Sequence, residues 1–398
     1  MSLISKISVF VNRSFFKKEK KSLDYHKPTN LFSLDKLLEI KSTDYYKSEN
    51  LIFFKEINSY CAFKFDVVKE ILHSSNFGIS DFHISLNKNY FQKDHRKHIQ
   101  NKKVAINYLR FASKKHQFDD FLFINNIFPI LKDHFPKNES FDLITFLIQP
   151  LLLSNALNEL GLLKKIDFLD PNSEKFNYQQ FIQLTTAIFQ NRDILEDLLQ
   201  KNISLENLPF EVKGIVAEMN QGAGVAPEDL PNFLATLIFV VSDSATSFVS
   251  SMVYFVLKEY PDFNNTKRSN ELTDLANELL RLYTPNPYIY RTVNEDVKFH
   301  NVHLKKGDNI VLFLGSANRD PSVFVEPERV IFGREQRHLA FGRGHISCIG
   351  EFAAFRMARN ILNCLSKDGT RYSILTEQPN FVLLPILKIS EIKIIYHD

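Results

Sequence analysis

One cysteine in a glycine-rich loop is the residue of this chain with the clearest capacity to bind a metal ion. The loop reads FGRGHISCIG, and its cysteine is Cys348. The glycines allow the backbone to turn tightly and to come close to a flat ligand. The apolar run EFAAFRMARNIL follows, and the start of a helix there would stabilise a thiolate through its N–H groups and its positive end. The pattern predicts a thiolate ligand at Cys348, whereas Cys61 and Cys364 are predicted to be inert core thiols.

The composition excludes several classes of protein. The chain has 398 residues, of which 44% are hydrophobic, and this is enough for a large core. Its formal net charge is only +3, which lacks the basic excess of a nucleic-acid-binding protein. Three cysteines without a CxxC pair argue against a disulfide framework and a zinc ribbon, and they predict a cytoplasmic protein. No run of 18 apolar residues is present, so we expect no stable membrane insertion.

Hydrophobic spacing predicts a mainly helical chain with a smaller β part. Residues 51–65 read as two short strands, the following DVVKEILHSS returns to helical spacing, and residues 98–283 are mostly helical in pattern. Residues 288–315 alternate like strands, and residues 349–366 return to helical spacing. Residues 1–25 mix apolar and basic side chains, so they are predicted to form a flexible or amphipathic N-terminal segment.

The cysteine loop and the sequence before it resemble the cytochrome P450 family. The family's haem-ligand loop, in which a cysteine thiolate is the proximal ligand of the iron, is similar to HLAFGRGHISCIG. Its Glu-x-x-Arg helix and the Arg-containing strand that follows are similar to NELLRLYTPNPYIYRTVNEDVKF. The family pattern also matches the intervening GDNIVLFLGSANRDPSVFVEPERVIFGREQRHLAFG over nearly every residue.

This resemblance implies a fold and a cofactor. The cytochrome P450 fold is mainly α with small β-sheets, and it buries haem b (iron protoporphyrin IX) between a long distal helix and the helix that follows the cysteine loop. The resemblance therefore implies one haem domain over residues 26–398. The loop residues that it assigns to the cofactor are Phe341, Gly342, His345, Cys348 and Gly350. It also implies that Glu278 and Arg281, three residues apart on one helical face, pair and support the cysteine loop.

Further residues are implied to bind the haem propionates. The stretch DHRKHIQNKKVAIN resembles a family helix that carries a His and, four residues later, an Arg. His98 holds the first place, and Lys102 stands where Arg is usual, which keeps the charge and loses the bidentate geometry. Arg291 matches the propionate-binding Arg of the strand. The family commonly has His or Arg two residues before the cysteine, but this chain has Ile346 there and His345 one place earlier.

The distal helix departs from the family pattern of Ala/Gly-Gly-x-acid-Thr. The apolar stretch LPNFLATLIFVVSDSATSFVSSMVYFVLKEYP takes its place. Two alignments, or registers, with this pattern are possible. In the first, Thr246 takes the place of the threonine and Ala245 replaces the acid. In the second, which is counted back from Pro261, Ala245 takes the place of the threonine and Ser244 takes the place of the acid. Asp243 could be a relocated proton carrier because it shares a face with Thr246, or it could form a hydrogen bond within the helix groove. The candidate catalytic residues are therefore Thr246, Asp243 and Ser244.

The function implied by the resemblance is that of a bacterial-type monooxygenase of secondary metabolism. Such an enzyme activates dioxygen at haem iron and hydroxylates or otherwise oxidises an apolar small molecule. Its electrons come ultimately from NAD(P)H through a separate ferredoxin or flavodoxin, and we expect a monomer with no nucleic-acid partner. Four positive side chains could contribute to the docking face, namely Lys103, Arg337, Arg343 and Arg356.

Two other functions remain open from the sequence. One is a peroxide-using or oxidative-coupling haem enzyme, which would not need the missing acid-alcohol pair. The other is a non-catalytic haem or ligand-binding protein. Turnover with a reductase system separates the monooxygenase from the first alternative, and ligand-induced spectral shifts without turnover would favour the second.

Overall fold

The computed structural model of the protein describes residues 50–80, 95–114, 120–166, 169–219, 222–259, 269–367, 372–383 and 386–397. The helices are α1 (Phe65–His73), α2 (His95–Lys114), α3 (Asp120–Lys132), α4 (Gln149–Glu159), α5 (Tyr178–Gln190), α6 (Asp193–Asn202), α7 (Phe210–Glu218), α8 (Leu230–Glu259), α9 (Ser269–Leu282), α10 (Leu314–Ala317) and α11 (Glu351–Lys367). The strands are β1 (Ile52–Phe54), β2 (Ser59–Ala62), β3 (Phe77–Ile79), β4 (Ser140–Asp142), β5 (Ile289–Val293), β6 (Val297–Phe299), β7 (Val302–Leu304), β8 (Asn309–Leu312), β9 (Tyr372–Ile374), β10 (Phe381–Leu383), β11 (Leu387–Ile389) and β12 (Lys393–Tyr396).

The described residues fall into two compact units, of which the first contains the cysteine loop. It consists of residues 50–80, 269–348, 378–383 and 386–390. A five-stranded sheet with the strand order β1-β2-β8-β5-β3 runs through this unit. β1 and β2 form an antiparallel hairpin, β2 pairs in parallel with β8, and β5 lies antiparallel to both β8 and β3. The sheet thereby fixes β5, the strand that carries Arg291.

The two faces of this sheet are covered by different side chains because successive strand residues point to opposite sides. One face belongs to a core cluster with the apolar side of α1, which includes Val68 and Ile71. On the other face, the rings of Phe63 and Phe313 stack with their centroids 4.5 Å apart. Burial of both faces explains why β2 and β8 are almost entirely apolar in sequence.

The second unit is mainly helical. It consists of residues 95–114, 120–166, 169–219, 222–259, 349–367, 372–377 and 391–397. α8 packs against α4, α6 and α11, which accounts for its apolar residues on nearly all sides. By length and composition the segment Pro227–Lys258 could cross a membrane, but 72% of its apolar window is buried inside the protein, as in a core helix. A three-stranded sheet of β4, β12 and β9 completes the unit.

The structure confirms the predicted fold class. The two strands predicted in residues 51–65 are β1 and β2, the strand-rich stretch 288–315 contains β5 to β8, and the helix predicted over 349–366 is α11. The predicted N-terminal segment 1–25 lies outside the described residues, and the single haem domain over 26–398 stays a prediction.

Candidate active site

Glu278 and Arg281 form a buried ion pair on α9. Arg281 donates from Nε to Glu278 Oε1 at 2.7 Å and from Nη2 to Glu278 Oε2 at 2.9 Å. The side chains are only 1% (Arg281) and 5% (Glu278) exposed. Arg334 also donates from Nε to Glu278 Oε2, at 3.0 Å. One buried carboxylate thus serves two guanidinium groups, and loss of that carboxylate would leave both without their counter-charge.

The pair also fastens the chain that leads to the cysteine loop. The Arg281 guanidinium donates to three backbone carbonyl oxygens, those of Asn318, Pro327 and Arg329, at 3.1, 2.5 and 2.8 Å. The amide of Ile331 donates to Glu278 Oε2 at 2.8 Å. Burial lowers the pKa of the Arg281 guanidinium, and the hydrogen bond and charge of Glu278 oppose that shift. The pair therefore acts as a buried anchor for residues 318–334.

The cysteine loop turns at two glycines whose backbone conformation disfavours other residues. Gly342 and Gly344 have φ values of +65° and +69°. A Cβ atom at Gly344 would lie 2.4 Å from the carbonyl oxygen of Leu72 in α1, so the loop backbone packs directly against that helix. The amide of Cys348 donates to the carbonyl oxygen of Phe341 at 2.8 Å. This bond closes the loop and fixes the backbone at the cysteine.

Cys348 is the cysteine whose side chain is accessible to a ligand. It is exposed, whereas Cys61 and Cys364 are buried. Burial raises the pKa of the Cys61 thiol to about 12, so Cys61 stays protonated. The Cys364 thiol donates to Asn125 Oδ1 at 3.6 Å. Cys61 and Cys364 are thus buried in the core, as predicted, and the ligand role of Cys348 stays a prediction.

His338 is a feature of this loop that sequence reasoning missed. Its ring is 4% exposed, and its Nδ1 accepts a hydrogen bond from the amide of Ala340 at 3.2 Å. Burial lowers its pKa to about 3, with a further contribution from Arg343, Arg337 and Arg281. The imidazole is therefore neutral near pH 7, and its proton lies on Nε2. Its carbonyl oxygen accepts from Arg343 Nη2 at 2.9 Å, which joins the two sides of the turn.

Arg291 is buried on β5, with 3% of its surface exposed. Within the described residues its guanidinium makes one hydrogen bond, from Nη1 to the carbonyl oxygen of Tyr290 at 2.8 Å. Burial lowers its pKa to about 10, and no carboxylate in the described part of the chain offsets that burial. A buried guanidinium with spare donors is favourable for an acidic group of a ligand. This arrangement fits a haem propionate.

The other predicted cofactor residues lie in α2 and in the cysteine loop. His98 is buried in α2, and half-buried Lys102 follows one turn later on the same side of that helix. His345 lies exposed in the 3-10 turn Gly344–Ile346, next to half-buried Ile346. Gly350, which precedes α11, is half-buried.

The predicted distal residues point in different directions from α8. Val240 and Val241, near the middle of the helix, are 49% and 37% exposed, and Ser244 follows Val240 by one turn on this uncovered side. The Ser244 hydroxyl donates to the carbonyl oxygen of Val240 at 2.6 Å. Asp243 and Thr246 are 2% and 1% exposed on other sides of the helix. Of the three candidates, Ser244 is the one on the uncovered side.

Thr246 uses its hydroxyl within the helix, where Oγ1 donates to the carbonyl oxygen of Ser242 at 2.7 Å. Both registers stay predictions: the one with Thr246 in the alcohol's place, and the one counted from Pro261 with Ser244 in the acid's place and Ala245 in the alcohol's. Spacing in the sequence alone left two registers because Ser, Thr and Ala alternate through this stretch.

Comparisons with known proteins show which chains this one is similar to. The family model described as Cytochrome P450 matches residues 261–366. The chain is 27% identical to cytochrome p450 CYP199A2 of Rhodopseudomonas palustris over 36% of this chain and 35% of that protein. It is 31% identical to linalool 8-monooxygenase of Pseudomonas putida over 42% of this chain and 41% of that protein. In both relatives the match spans less than half of their length.

Solved structures show a likeness over a larger part of the chain. CYP109E1 from Bacillus megaterium, determined in complex with corticosterone, has a TM-score of 0.66 and 21% sequence identity. The likeness covers 90% of this chain and 100% of that chain. At this identity the likeness shows a shared fold.

Proposed function

We propose that the chain is a member of the cytochrome P450 family and a haem-thiolate monooxygenase that oxidises an apolar small molecule. The observation that carries this proposal is the Cys348 loop. An exposed thiol lies in a turn closed by the bond from Cys348 to Phe341, and the chain leading to it is anchored by the buried pair of Glu278 and Arg281.

The residues present suit haem b. In this proposal the Cys348 thiolate binds the iron, and Arg291, His98 and Lys102 pair with the propionates. The buried charge of Arg291 has no carboxylate partner in the described part of the chain, and this supports the role because a propionate would supply a counter-charge. The loop residues Phe341, Gly342, His345 and Gly350 would lie against the cofactor. When bound, haem supplies the iron that activates dioxygen and transfers one oxygen atom to the substrate.

Proton delivery is proposed to depend on Ser244. Its hydroxyl lies on the uncovered side of α8 and can accept a proton from water or from a substrate hydroxyl while it passes its own onward. To do so it must give up its bond to the Val240 carbonyl oxygen. A serine is a relay and not an acid, so the proton source lies elsewhere. Direct roles for Asp243 and Thr246 stay predictions.

The substrate is proposed to be apolar. Val240 and Val241 line the uncovered side of α8, and apolar walls with few polar groups are usual for sites that take such molecules. The related proteins point the same way, because linalool and corticosterone are both largely apolar molecules.

Electrons are proposed to come from NAD(P)H through a separate acidic ferredoxin or flavodoxin, with the enzyme acting as a cytoplasmic monomer. Lys103 and Arg337 are exposed, so their charge is accessible to such a partner. Arg343 and Arg356 are partly used within the protein. Arg343 bonds to the His338 carbonyl oxygen, and Arg356 lies 3.9 Å from Glu159.

The proposed function is tested by turnover of the haem-loaded protein with a panel of terpenoid, steroid and fatty substrates. We expect oxygenated product with a surrogate ferredoxin, its reductase and NAD(P)H, and little product with hydrogen peroxide. The reverse preference would favour the peroxide-using alternative, which the loss of the acid-alcohol pair makes the second candidate. Substrate-induced spectral shifts with no product under either condition would favour a ligand-binding protein.

Replacement Ser244→Ala should lower the fraction of consumed NAD(P)H that appears as product. We expect a decrease of about tenfold, which is less than the effect of removing a full acid or base because water can take part of the role. The measurement is product formed against NAD(P)H consumed, with hydrogen peroxide release as the complementary readout.

Thr246→Val is the matched control for this prediction. It removes a hydroxyl that is bonded inside the helix, so it should cost about 1 kcal/mol of stability and leave the product fraction unchanged. If Thr246→Val uncouples the reaction and Ser244→Ala does not, the other register of α8 is correct.

A further inference from the structure

We propose that Asn318 is a positioning residue for the Cys348 loop, an inference that rests on the proposed function for its catalytic meaning. Asn318 follows α10 and has no exposed surface. Its side chain joins two segments that are distant in sequence. Nδ2 donates to Thr284 Oγ1 at 2.8 Å, and Oδ1 accepts from the amide of Leu339 at 2.7 Å.

The orientation of this side-chain amide is dictated from both ends. The backbone of Leu339 offers an N–H group there, so it must face the amide oxygen. The Thr284 hydroxyl already donates to the carbonyl oxygen of Leu280 at 2.8 Å, so it accepts the hydrogen bond from Nδ2. One planar group with a donor and an acceptor satisfies both partners. Asparagine is therefore suited to this position in a way that leucine or aspartate is not.

Asn318 is also fixed through its own backbone. Its carbonyl oxygen accepts from Arg281 Nη1 at 3.1 Å, and its amide donates to the carbonyl oxygen of Leu314 at 2.9 Å. The residue is thus held by the buried ion pair on one side and by α10 on the other. Because its backbone is held, its side chain can act as a rigid support for the residue that it contacts.

That residue opens the cysteine loop. Leu339 is fully buried, and its carbonyl oxygen accepts from the amide of Gly342 at 2.8 Å. Gly342 begins the left-handed turn, and the Phe341 carbonyl oxygen then receives the Cys348 amide. A continuous series of hydrogen bonds therefore leads from Asn318 to the backbone of Cys348. The hydrogen bonds of His338 and Arg343 differ from those of Asn318 because they join residues of the loop only to one another.

Asn318 and the Glu278–Arg281 pair hold two different segments of the chain. Glu278 and Arg281 hold residues 318–334, and Asn318 holds the first part of the loop itself. Loss of Asn318 should therefore loosen the loop without releasing the chain before it. In the proposed enzyme this would let the Cys348 sulfur move relative to the iron that it binds.

The test is hydrogen exchange of the full-length protein, measured by mass spectrometry on wild type, Asn318→Leu, Asn318→Asp and Thr284→Val. In Asn318→Leu we expect the amides from Leu339 to Cys348 to exchange about tenfold faster while those of β5 keep their rates. Asn318→Asp keeps the acceptor for Leu339, so most of the protection should remain. Thr284→Val should make the backbone amide of Leu339 exchange about threefold faster, because the side-chain amide of Asn318 then loses the partner that fixes its orientation.

A second readout connects the loop to the cofactor. In the haem-loaded, reduced protein under carbon monoxide, Asn318→Leu should lose the thiolate-type Soret band at least about threefold faster than Asn318→Asp. Hydrogen exchange needs no haem, so a protein that binds no haem refutes the proposed function and still decides the role of Asn318.

The hydrogen-exchange results separate a positioning role of Asn318 from a general effect on stability. Faster exchange confined to residues 339–348 supports a positioning role. Equal acceleration across β5 and the loop, or unchanged exchange at Leu339, overturns it. If Asn318→Leu does not fold, Thr284→Val and Asn318→Asp decide the question by the same comparison.

Discussion

Replacement Glu278→Gln should destabilise the protein by about 3–5 kcal/mol, a large part of the total stability of a folded domain. Glutamine has nearly the same shape, so packing is kept and the loss is that of charge. Arg281 and Arg334 would both remain beside a neutral side chain, and Arg281 is only 1% exposed. The chain contains no tryptophan, so unfolding in urea is followed by far-ultraviolet circular dichroism. Haem content after purification should fall in parallel.

Glu326→Gln is the matched control for this change. Glu326 and Arg329 have the same three-residue spacing and lie in the same unit, but their side chains are 51% and 42% exposed. The same chemical substitution should therefore cost less than about 1 kcal/mol. Equal losses of stability in the two variants would contradict the argument that burial gives the first pair its importance.

The sequence predicted those parts of the site that depend on short spacings. Glu278 and Arg281 are three residues apart, so a helix alone puts them on one face. The glycines around Cys348 predict a tight turn in the same way, and the observed φ values of Gly342 and Gly344 are those of such a turn. The strands of residues 51–65 and 288–315 were likewise readable from local alternation.

Other features depend on contacts that no local pattern reveals. Asn318 bonds to residues 34 positions before it and 21 positions after it. The burial of His338 and Arg291 is also a property of the assembled unit, and it changes their pKa values in ways that composition cannot predict. The signals available were weak: Asn318 belonged to a matched stretch, and His338 stood ten residues before the cysteine.

For the distal helix, the sequence predicted burial but not which side of the helix stays uncovered. Its apolar character predicted a core helix, and α8 is one. The side of α8 that stays uncovered depends on which helices pack against it, and only the structure shows that Val240, Val241 and Ser244 share that side. A shift of one residue rotates a helix by about 100°, so the two registers assign sides of α8 about 100° apart to the reaction.

Replacement Cys348→Ser should abolish turnover and leave the fold intact. The thiol is exposed, so loss of sulfur should change the free energy of unfolding by no more than about 0.5 kcal/mol. Serine cannot supply a thiolate to the iron, and the oxygen chemistry of cytochrome P450 enzymes depends on that ligand. The measurement is product formation by the haem-loaded variant, with circular dichroism as the check on folding.

Cys364→Ser is the control for this second prediction. Cys364 is buried and its thiol contacts Asn125 Oδ1, so a serine hydroxyl can keep the same hydrogen bond. This variant should retain turnover. Retention of turnover by Cys348→Ser with its loss in Cys364→Ser would move the iron ligand to another part of the chain.

In the proposed enzyme the Cys348 thiolate would bind the iron of a haem group. The most direct test is the absorption spectrum of the dithionite-reduced protein under carbon monoxide, recorded for wild type and Cys348→Ser. We expect a red-shifted, thiolate-type Soret band in wild type that is missing in the variant. Folded, haem-supplemented wild type that shows no haem, or only a histidine-ligated type of band, would contradict it.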